Sequence, residues 1–535
     1  MKTLDSDGIT DPYGPIGRFL PNLPAGIVKI QNNPGQKPRE VLYDPTGVSP
    51  ELILSLMRKG YRVACSVGNP VDRLLIETLA SPPSLEMLNA VMADLSMLRF
   101  EGTRFEKHIF EMFATTCSAC NREVAVDHYV WDSDENSLLT KVYNCACGNG
   151  GEFAVDATDI ELSKKWQRSD GLYRGGVLQK FKFLTGVSTD DISDALAVYP
   201  PRILHGLDWI ISRMGDKIED RQQLSCLRSL LLFAADRCNS LWLVDDEEYR
   251  PKQIHKPSRV IEYNLWKAML EAYRFLAAQQ DRFAVTMWPN LPSENGVCIY
   301  PGSARRFLPG AQDITITDVV AVSPRPNQAY WTLSAIWSVW FLGSSNDEDF
   351  LKVLQRKRYD WNWYADALTA LLKNIKKYVS DRARFTLFAT ELEPSFITPI
   401  IFTLIKTGFA IQQIIPSAGF EVLKIESALK SNNKGREQLK EKSTSSKDLL
   451  ETVTVVLAAK QQPISYLALL TEVFSELIKN GSELLVKGDP AQFEKDLQKV
   501  LKGPSFVDIE NRANVETGLW YLKMDEDNQH RFAGF

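Results

Sequence analysis

The chain lacks a long hydrophobic run and an excess of basic residues. Among its 535 residues, no uninterrupted apolar stretch approaches the roughly 20 residues that a membrane-spanning helix needs, so no membrane association is expected. The formal net charge of −5 excludes a positive field over the whole protein but leaves a local basic face open. The segment 1–10 is polar and acidic, unlike a secretory signal. These absences predict a cytoplasmic protein.

Cysteines are few, and they fall into two groups. Four are scattered in apolar surroundings and are predicted to be buried thiols: Cys65, Cys226, Cys238 and Cys298. The other four form two close pairs: Cys117-x-x-Cys120 and Cys145-x-Cys147. Zn²⁺ takes four thiolates tetrahedrally when two local pairs are brought together, and strand-like segments between the pairs would make a zinc ribbon. We therefore predict structural zinc, with disulfides or free thiols as alternatives; a cytosolic location argues against disulfides.

The order of elements divides the chain into five parts. Strand and helix alternate up to about residue 100 and again from 296, which predicts an α/β fold with one doubly wound sheet interrupted by an insert. The predicted parts are the first half of the sheet domain (1–100), the ribbon (101–160), a helical region (161–295), the second half of the sheet domain (296–460) and a C-terminal module (461–535).

Hydrophobic periodicity predicts the individual elements. Predicted strands are Glu40–Tyr43, Tyr61–Val67, Val124–Trp131, Lys141–Asn144, Val297–Tyr300, Val319–Val322, Phe385–Ala389, Phe409–Ile415 and Thr452–Leu457. Predicted helices are Glu51–Lys59, Pro70–Ala80, Arg221–Cys238, Tyr330–Phe341, Trp361–Tyr378 and Ser395–Lys406. Two helices and a final aromatic strand suggest a winged-helix-like module: Leu467–Lys479, Gln492–Leu501 and Gly518–Leu522. The basic, aromatic-free stretch Lys430–Lys447 predicts a mobile loop.

Three short motifs follow predicted strands, at the edge where α/β sheets bind ligands. Together with the ribbon and the segment Asp11-Pro12-Tyr13 to Phe19-Leu20-Pro21, their order resembles that of the zinc-ribbon-containing adenine-specific DNA methyltransferases, which use S-adenosylmethionine (SAM). The likeness covers residues 10 to about 460 and implies a Rossmann-like methyltransferase sheet with a target-recognition region in the middle. The motifs are Asp44-Pro45-Thr46-Gly47-Val48-Ser49-Pro50, Asn69-Pro70 and Ser323-Pro324-Arg325-Pro326.

The resemblance implies which residues would contact the cofactor and the target base. The SAM loop would comprise Asp44, Pro45, Thr46, Gly47, Ser49 and Asn69, and the catalytic loop Ser323, Pro324, Arg325 and Pro326. The chain departs from the family pattern in each motif. Val48 and Pro50 replace glycines that let the backbone approach SAM, and Val67 replaces an acid that would bind the ribose hydroxyls.

The catalytic loop departs as well. Arg325 stands in place of a second proline, and Pro326 in place of the aromatic residue that stacks on a flipped base. Tyr330 or Trp331 could supply that stacking, although helix aromatics are more often core residues. Arg325 itself could bind a phosphate or a carboxylate.

Three damaged motifs at one site predict a catalytically inactive member that binds SAM weakly or not at all. We expect a DNA-binding or scaffold subunit with protein partners, which the resemblance places in a defence or restriction-like complex. The alternatives are an active DNA amino-methyltransferase (N6-adenine or N4-cytosine) and a protein-interaction module without nucleic acid. DNA contact is predicted from basic and aromatic residues of the middle region: Lys164, Lys165, Trp166, Arg168, Tyr173, Arg174, Lys180, Lys182, Arg250, Lys252, Lys256, Arg259, Arg305 and Arg306.

Overall fold

The computed structural model describes most of the chain. The described residues are 16–23, 28, 41–214, 217–244, 250–307, 316–343, 348–355, 360–417, 420–429 and 446–523. The Asp11-Pro12-Tyr13 segment lies outside them, and so does nearly all of the predicted loop Lys430–Lys447.

The first part alternates strand and helix, as predicted. Its elements are β1 (Val41–Asp44), α1 (Pro50–Arg58), β2 (Arg62–Val67), α2 (Pro70–Ala80) and α3 (Leu85–Met97). Two of the motif residues begin helices. The Ser49 hydroxyl accepts the Leu52 N–H at 3.2 Å, and Asn69 Oδ1 accepts the Val71 N–H at 3.0 Å. A proline follows each cap at the first helical position, where its missing N–H costs nothing.

The middle part combines a small sheet with helices. Its elements are β3 (Arg99–Phe100), β4 (Thr103–Arg104), α4 (Phe105–Met112), β5 (Ala114–Thr116), β6 (Glu123–Asp132), β7 (Ser137–Asn144), β8 (Gly150–Ala154), α5 (Ala157–Gln179), α6 (Thr189–Leu196), α7 (Pro201–Met214), α8 (Arg221–Arg237), β9 (Arg259–Tyr263) and α9 (Leu265–Ala278). Strands β5 to β8 form a sheet, and β9 joins it by pairing antiparallel with β6. A strand from the far end of the predicted helical region therefore completes the ribbon sheet.

The third part returns to alternation. It comprises β10 (Ala284–Met287), β11 (Gly296–Pro301), β12 (Ile316–Val322), α10 (Gln328–Trp340), α11 (Glu348–Leu351), α12 (Trp361–Ile375), β13 (Val379–Thr390), α13 (Pro394–Lys406), β14 (Phe409–Pro416) and β15 (Val422–Leu429). Eight strands make one sheet in the order β10-β11-β2-β1-β12-β13-β15-β14. Every neighbouring pair is parallel except those of β15, which runs antiparallel to both β13 and β14. The predicted mixed α/β architecture with a mostly parallel sheet is confirmed.

The C-terminal part contains helices and a three-stranded antiparallel sheet. Its elements are α14 (Ser446–Lys460), β16 (Ile464–Ser465), α15 (Tyr466–Lys479), α16 (Glu483–Lys487), α17 (Pro490–Leu501), β17 (Phe506–Asp508) and β18 (Leu519–Leu522), with strand order β16-β18-β17. The prediction of a strand at Thr452–Leu457 is wrong, because this segment lies inside α14. Its buried residues Leu449, Val453 and Val456 have helical spacing and face the core.

The sheet lies between layers of helices. Helices α12 and α13 share one hydrophobic cluster with α14, α15 and α17, whereas α2, α3 and α10 share another with the helical middle part. Helix α8 packs against α2, α3 and α9, so the middle part rests on the helices that follow the first strands. Within the described ranges, no helix combines the length and apolar character needed to cross a membrane.

Candidate metal centre and switch-point loops

The four clustered cysteines converge on one point. Cys117 and Cys120 lie in the turn between β5 and β6, while Cys145 and Cys147 lie between β7 and β8. All four sulfur atoms lie within 4.8 Å of one another. Each short distance joins the two turns: Cys117 Sγ is 3.7 Å from Cys147 Sγ, and Cys120 Sγ is 3.6 Å from Cys145 Sγ. The two turns therefore contribute to a single site.

Backbone hydrogen bonds close both turns. The Cys117 N–H donates to the Arg122 carbonyl, and the Cys145 N–H donates to the Asn149 carbonyl, both at 2.9 Å. The second turn closes one residue earlier than the first. Gly148, at φ +89°, supplies the left-handed conformation in that shorter turn. The one-residue spacing of the second cysteine pair is thus compatible with a shared site.

The sulfur separations match a tetrahedral metal site. A Zn–S distance of about 2.3 Å places tetrahedral ligands about 3.8 Å apart, close to the observed 3.6 and 3.7 Å. A disulfide would require about 2.05 Å, and all eight cysteines are free thiols. These residues can hold a metal ion.

Hydrogen bonds prepare one of the sulfurs as a thiolate. Burial raises the pKa of Cys117, but the N–H groups of Ala119 and Cys120 and the side-chain amide of Asn149 point at its sulfur and lower the pKa to about 5. A thiolate is the form that binds metal. Four protein ligands would leave no open coordination position, so the site can stabilise the fold without catalysing a reaction.

The three motifs meet where the order of the large sheet reverses. From β1 the chain proceeds through β2 to β11 on one side, and β12 then begins the other side next to β1. The carboxyl ends of two such central strands form the ligand crevice of doubly wound folds. The Thr46 hydroxyl lies 3.1 Å from the carbonyl oxygen of Val322, which joins the loop after β1 to the end of β12. The structure thus brings the predicted SAM loop and the predicted catalytic loop together.

One oxygen of Asp44 organises the predicted SAM loop. Asp44 Oδ1 accepts the backbone N–H groups of Thr46 and Gly47, at 2.9 and 3.1 Å, and lies 2.7 Å from the Thr46 hydroxyl. Burial raises the pKa of this carboxyl, and the three hydrogen bonds partly offset that effect. Ser49 and Asn69 cap helices, as described above, and Pro45 is buried.

Val67 fills the space beneath this loop. It ends β2 and is buried, and Gly47 packs directly on it at φ +54°. A Cβ atom on Gly47 would lie 2.7 Å from Val67 Cγ2 and 2.8 Å from the Ser66 carbonyl oxygen. The site that the resemblance assigns to a ribose-binding acid is therefore a close apolar contact.

The catalytic loop is also tied to the protein. The Ser323 N–H donates to the Phe388 carbonyl at 2.7 Å, and its hydroxyl hydrogen-bonds the hydroxyl of buried Tyr364. The Ser323–Phe388 contact fixes the end of β12 against β13. Pro324 and Pro326 flank Arg325 and are half-buried.

Arg325 belongs to an internal ion-pair cluster. Its guanidinium donates to the Glu391 carbonyl at 2.8 Å and is paired with the carboxylates of Glu391 and Glu393. Arg250 pairs with the same Glu391 carboxylate and also donates to the Phe19 carbonyl. Two arginines face two glutamates, so the cluster is neutral. Sequence reasoning named Arg325 and Arg250 but missed both glutamates, because no local pattern links the segments that meet here.

The aromatic candidates in α10 are engaged as well. Tyr330 is buried, donates its hydroxyl to Asp72 and stacks on Phe19 at 5.3 Å between ring centroids. Trp331 is half-buried and lies edge-on to Trp363 at 6.1 Å. Tyr330 thus packs in the protein interior.

The polar side-chain groups of five candidate residues have partners in the chain: Thr46, Ser49, Ser323, Arg325 and Tyr330. Two further polar atoms, Asp44 Oδ2 and Asn69 Nδ2, are buried without a hydrogen-bond partner among the described residues. Because Val67 packs where the resemblance requires a ribose-binding acid, the residues present do not fit SAM.

Many basic residues of the middle region have partners within the chain. Arg174 pairs with Asp170 at 2.8 Å, and Lys180 pairs with Asp208 at 2.9 Å. Trp166 is only 8% exposed and packs in the helical core. Five of the basic residues are exposed and make no side-chain hydrogen bond or ion pair with the described residues: Lys165, Arg168, Lys182, Lys252 and Lys256.

Comparison with known proteins adds no relative. No protein-family model matches the chain, and no curated protein gives a significant match. What the described residues establish is a mixed α/β protein with a mostly parallel central sheet and a four-cysteine cluster able to hold a metal ion.

Proposed function

We propose that this chain is a catalytically inactive, DNA-methyltransferase-like protein that acts as a DNA-binding or scaffold subunit, with zinc as a structural ion. The main support for the proposal is how the two motif loops are packed and paired at the switch point. Both motif loops lie there, but a valine packs against Gly47, and Arg325 is neutralised by Glu391 and Glu393. An active site needs groups free to meet its ligand. Free cysteines throughout the chain favour a cytoplasmic location.

The strand order supports the methyltransferase ancestry. In a dinucleotide-binding sheet, the strands continue parallel to the edge. Here an antiparallel strand, β15, is inserted between β13 and β14, which is the order expected of a methyltransferase-type sheet. The proposal therefore does not rest on the loop motifs alone.

The C-terminal part supports DNA contact. Its order of helix, strand, two longer helices and two closing strands, with β18 between β16 and β17, is compatible with a winged helix. In a winged helix, α17 would be the recognition helix. Lys495 and Lys499 of α17, with Lys502 directly after it, share one exposed face, which we call the lysine face. None of these lysines has an ion-pair partner among the described residues, so their charges are available to phosphates.

Packing holds this helix beside the switch-point edge. Helix α17 contacts α13, which begins directly after Glu393 of the ion-pair cluster. Burial raises the pKa of Glu494, whose side chain contacts Thr398 in the first turns of α13 and lies near Glu393. Helix α17 is thereby held against the start of α13, next to the ion-pair cluster, while its lysine face points away from this contact to the solvent.

Calorimetric titration with SAM tests the loss of catalysis. We expect no heat at high SAM concentration; micromolar binding would overturn the inactive assignment and favour an active DNA amino-methyltransferase.

DNA binding is tested separately with a labelled duplex at several salt concentrations. Replacing all three lysines of the lysine face by Gln should reduce the slope of log K against log[salt] by roughly 0.9 per lost phosphate contact. Lys479→Gln on α15, where the lysine pairs with Glu476, is the matched control and should leave the slope unchanged. Absence of any salt-dependent binding by the native protein would favour a protein-interaction module instead.

A further inference from the structure

A second crevice lies between α2 and α8, beginning at Pro70 of the Asn69-Pro70 motif. It has a volume of about 350 Å³ and is closed on one side by Leu342, just after α10. Its walls combine apolar and charged groups: Pro70, Arg73, Leu74, Glu77, Arg221, Leu224, Ser225, Arg228 and Leu342. We call it the arginine cleft. Its volume is at the lower end of the range for small-molecule sites.

The charge of the arginine cleft is unbalanced. Three guanidinium groups face one carboxylate, that of Glu77. Burial raises the pKa of Glu77, and the charge of Arg73 only partly offsets this. In the part of the chain that the structure describes, the guanidinium groups of Arg73 and Arg221 make no hydrogen bond and no ion pair within 4.0 Å. Three arginines and one glutamate give the lining of the cleft a net charge of +2, unlike the neutral cluster around Arg325.

Arg228 is held in a position suited to an anion. Its Nε donates to the Phe341 carbonyl at 3.1 Å, which fixes the plane of the guanidinium, and its terminal nitrogens have no partner among the described residues. Burial lowers the pKa of Arg228, and no carboxylate of the described residues counteracts that effect. A half-buried guanidinium without an acid is costly, and an anion with several oxygens would satisfy it.

We propose that the arginine cleft binds a phosphate group, carried either by a small nucleotide or by the DNA backbone. The three arginines would contact phosphate oxygens, for which planar guanidinium groups are well suited. The Ser225 side chain adds a hydroxyl donor, and the leucines would pack against the sugar or base. This inference depends on the cleft alone and holds whether or not SAM binds.

The test uses the full-length protein and two probes. Adenosine monophosphate is titrated by calorimetry, with adenosine as the phosphate-free control, and a labelled DNA duplex is titrated at several salt concentrations. The double variant Arg73→Gln/Arg221→Gln removes two charges from the cleft. The matched control Arg104→Gln/Arg213→Gln removes two charges from exposed sites elsewhere. Arg228→Lys keeps the charge but loses the forked geometry.

If the bound phosphate belongs to a small nucleotide, adenosine monophosphate should bind and adenosine should not. The affinity for the monophosphate should then fall at least tenfold in the cleft double variant and in Arg228→Lys. If the phosphate belongs to DNA, the monophosphate should not bind, and only the cleft double variant should show an at least tenfold loss of duplex affinity and a shallower salt slope. The proposal is overturned if adenosine binds as tightly as the monophosphate. It is equally overturned if neither probe distinguishes the cleft variant from the matched control.

Discussion

The four-cysteine centre and the switch point differ in where their polar residues direct their side-chain groups. In the centre, four sulfurs from two turns face one another at the separation of metal ligands. At the switch point, Asp44, Ser323 and Arg325 turn toward partners in the protein. We expect a site that holds a ligand to keep its ligating groups convergent, and a site without one to satisfy most of its polar groups internally, since a buried polar group without a partner is costly. At the switch point, Asp44 Oδ2 and Asn69 Nδ2 are exceptions and have no hydrogen-bond partner among the described residues.

The strongest way to test this contrast is to remove one sulfur. Cys117→Ser should abolish metal binding, because serine is a poor zinc ligand, and should remove a large part of the roughly 10 kcal/mol that a structural zinc contributes. Elemental analysis should give one metal ion per native chain and none in the variant, with a lower unfolding temperature. Cys226→Ala, at a buried thiol outside the cluster, is the control and should retain the metal. A metal-free native protein would refute the assignment.

Replacing Val67 by the acid that the resemblance implies at this position tests the switch point. Val67→Asp would bury a carboxylate against Gly47, which should lower the free energy of unfolding by about 3–5 kcal/mol. We expect the variant still to give no heat with SAM. Val67→Asn has the same shape without the charge and should be less destabilised in urea titration. If Val67→Asp bound SAM at micromolar concentration, one residue alone would account for the loss of binding.

The Tyr330–Asp72 contact gives a pH-dependent test. Burial raises the pKa of Asp72 to about 7, and the Tyr330 hydroxyl acts in the opposite direction. Because this pKa lies above the unfolded value, Asp72 contributes most stability at low pH and loses it as pH rises through about 7.

Removing the hydroxyl by Tyr330→Phe should cost about 1–3 kcal/mol at pH 8.5, where Asp72 is ionised and loses its donor. The cost should be smaller at pH 5.5. Urea unfolding at the two pH values measures this, and Tyr273→Phe, where the hydroxyl contacts Asn89 at the surface, is the control. An equal cost at both pH values would contradict the assigned ionisation.

The smallest effect is expected for Arg325→Ala. Because Arg325 is neutralised within the protein, its loss should leave DNA affinity and the salt slope unchanged. Stability should fall by about 1–2 kcal/mol, since Glu391 and Glu393 lose a charged donor. Arg325→Lys serves as the charge-preserving comparison. Weaker DNA binding by the alanine variant would mean that Arg325 contacts phosphate and that the switch point is not closed.

The sequence predicted best what is determined locally. The cysteine pairs lie within turns, and the capped starts of α1 and α2 follow from Ser49-Pro50 and Asn69-Pro70. The prediction of a strand at Thr452–Leu457 is wrong. The β-branched residues of this segment are typical of strands, but the buried positions have helical spacing that begins earlier, at Leu449. Pairing between distant segments could not be foreseen. Arg325 and Glu393 are separated by 68 residues, and no periodicity links them.

The pairing of β9 with β6 bears on the order in which parts of the chain fold during synthesis. Trp131 and Glu262, hydrogen-bonded across this pair, are 131 residues apart, and closing so long a loop costs chain entropy of about 4 kcal/mol. Both cysteine turns leave the ribosome well before β9. We therefore expect metal to load first, during synthesis, and the ordered edge of β6 to serve as the template on which Arg259–Tyr263 later aligns.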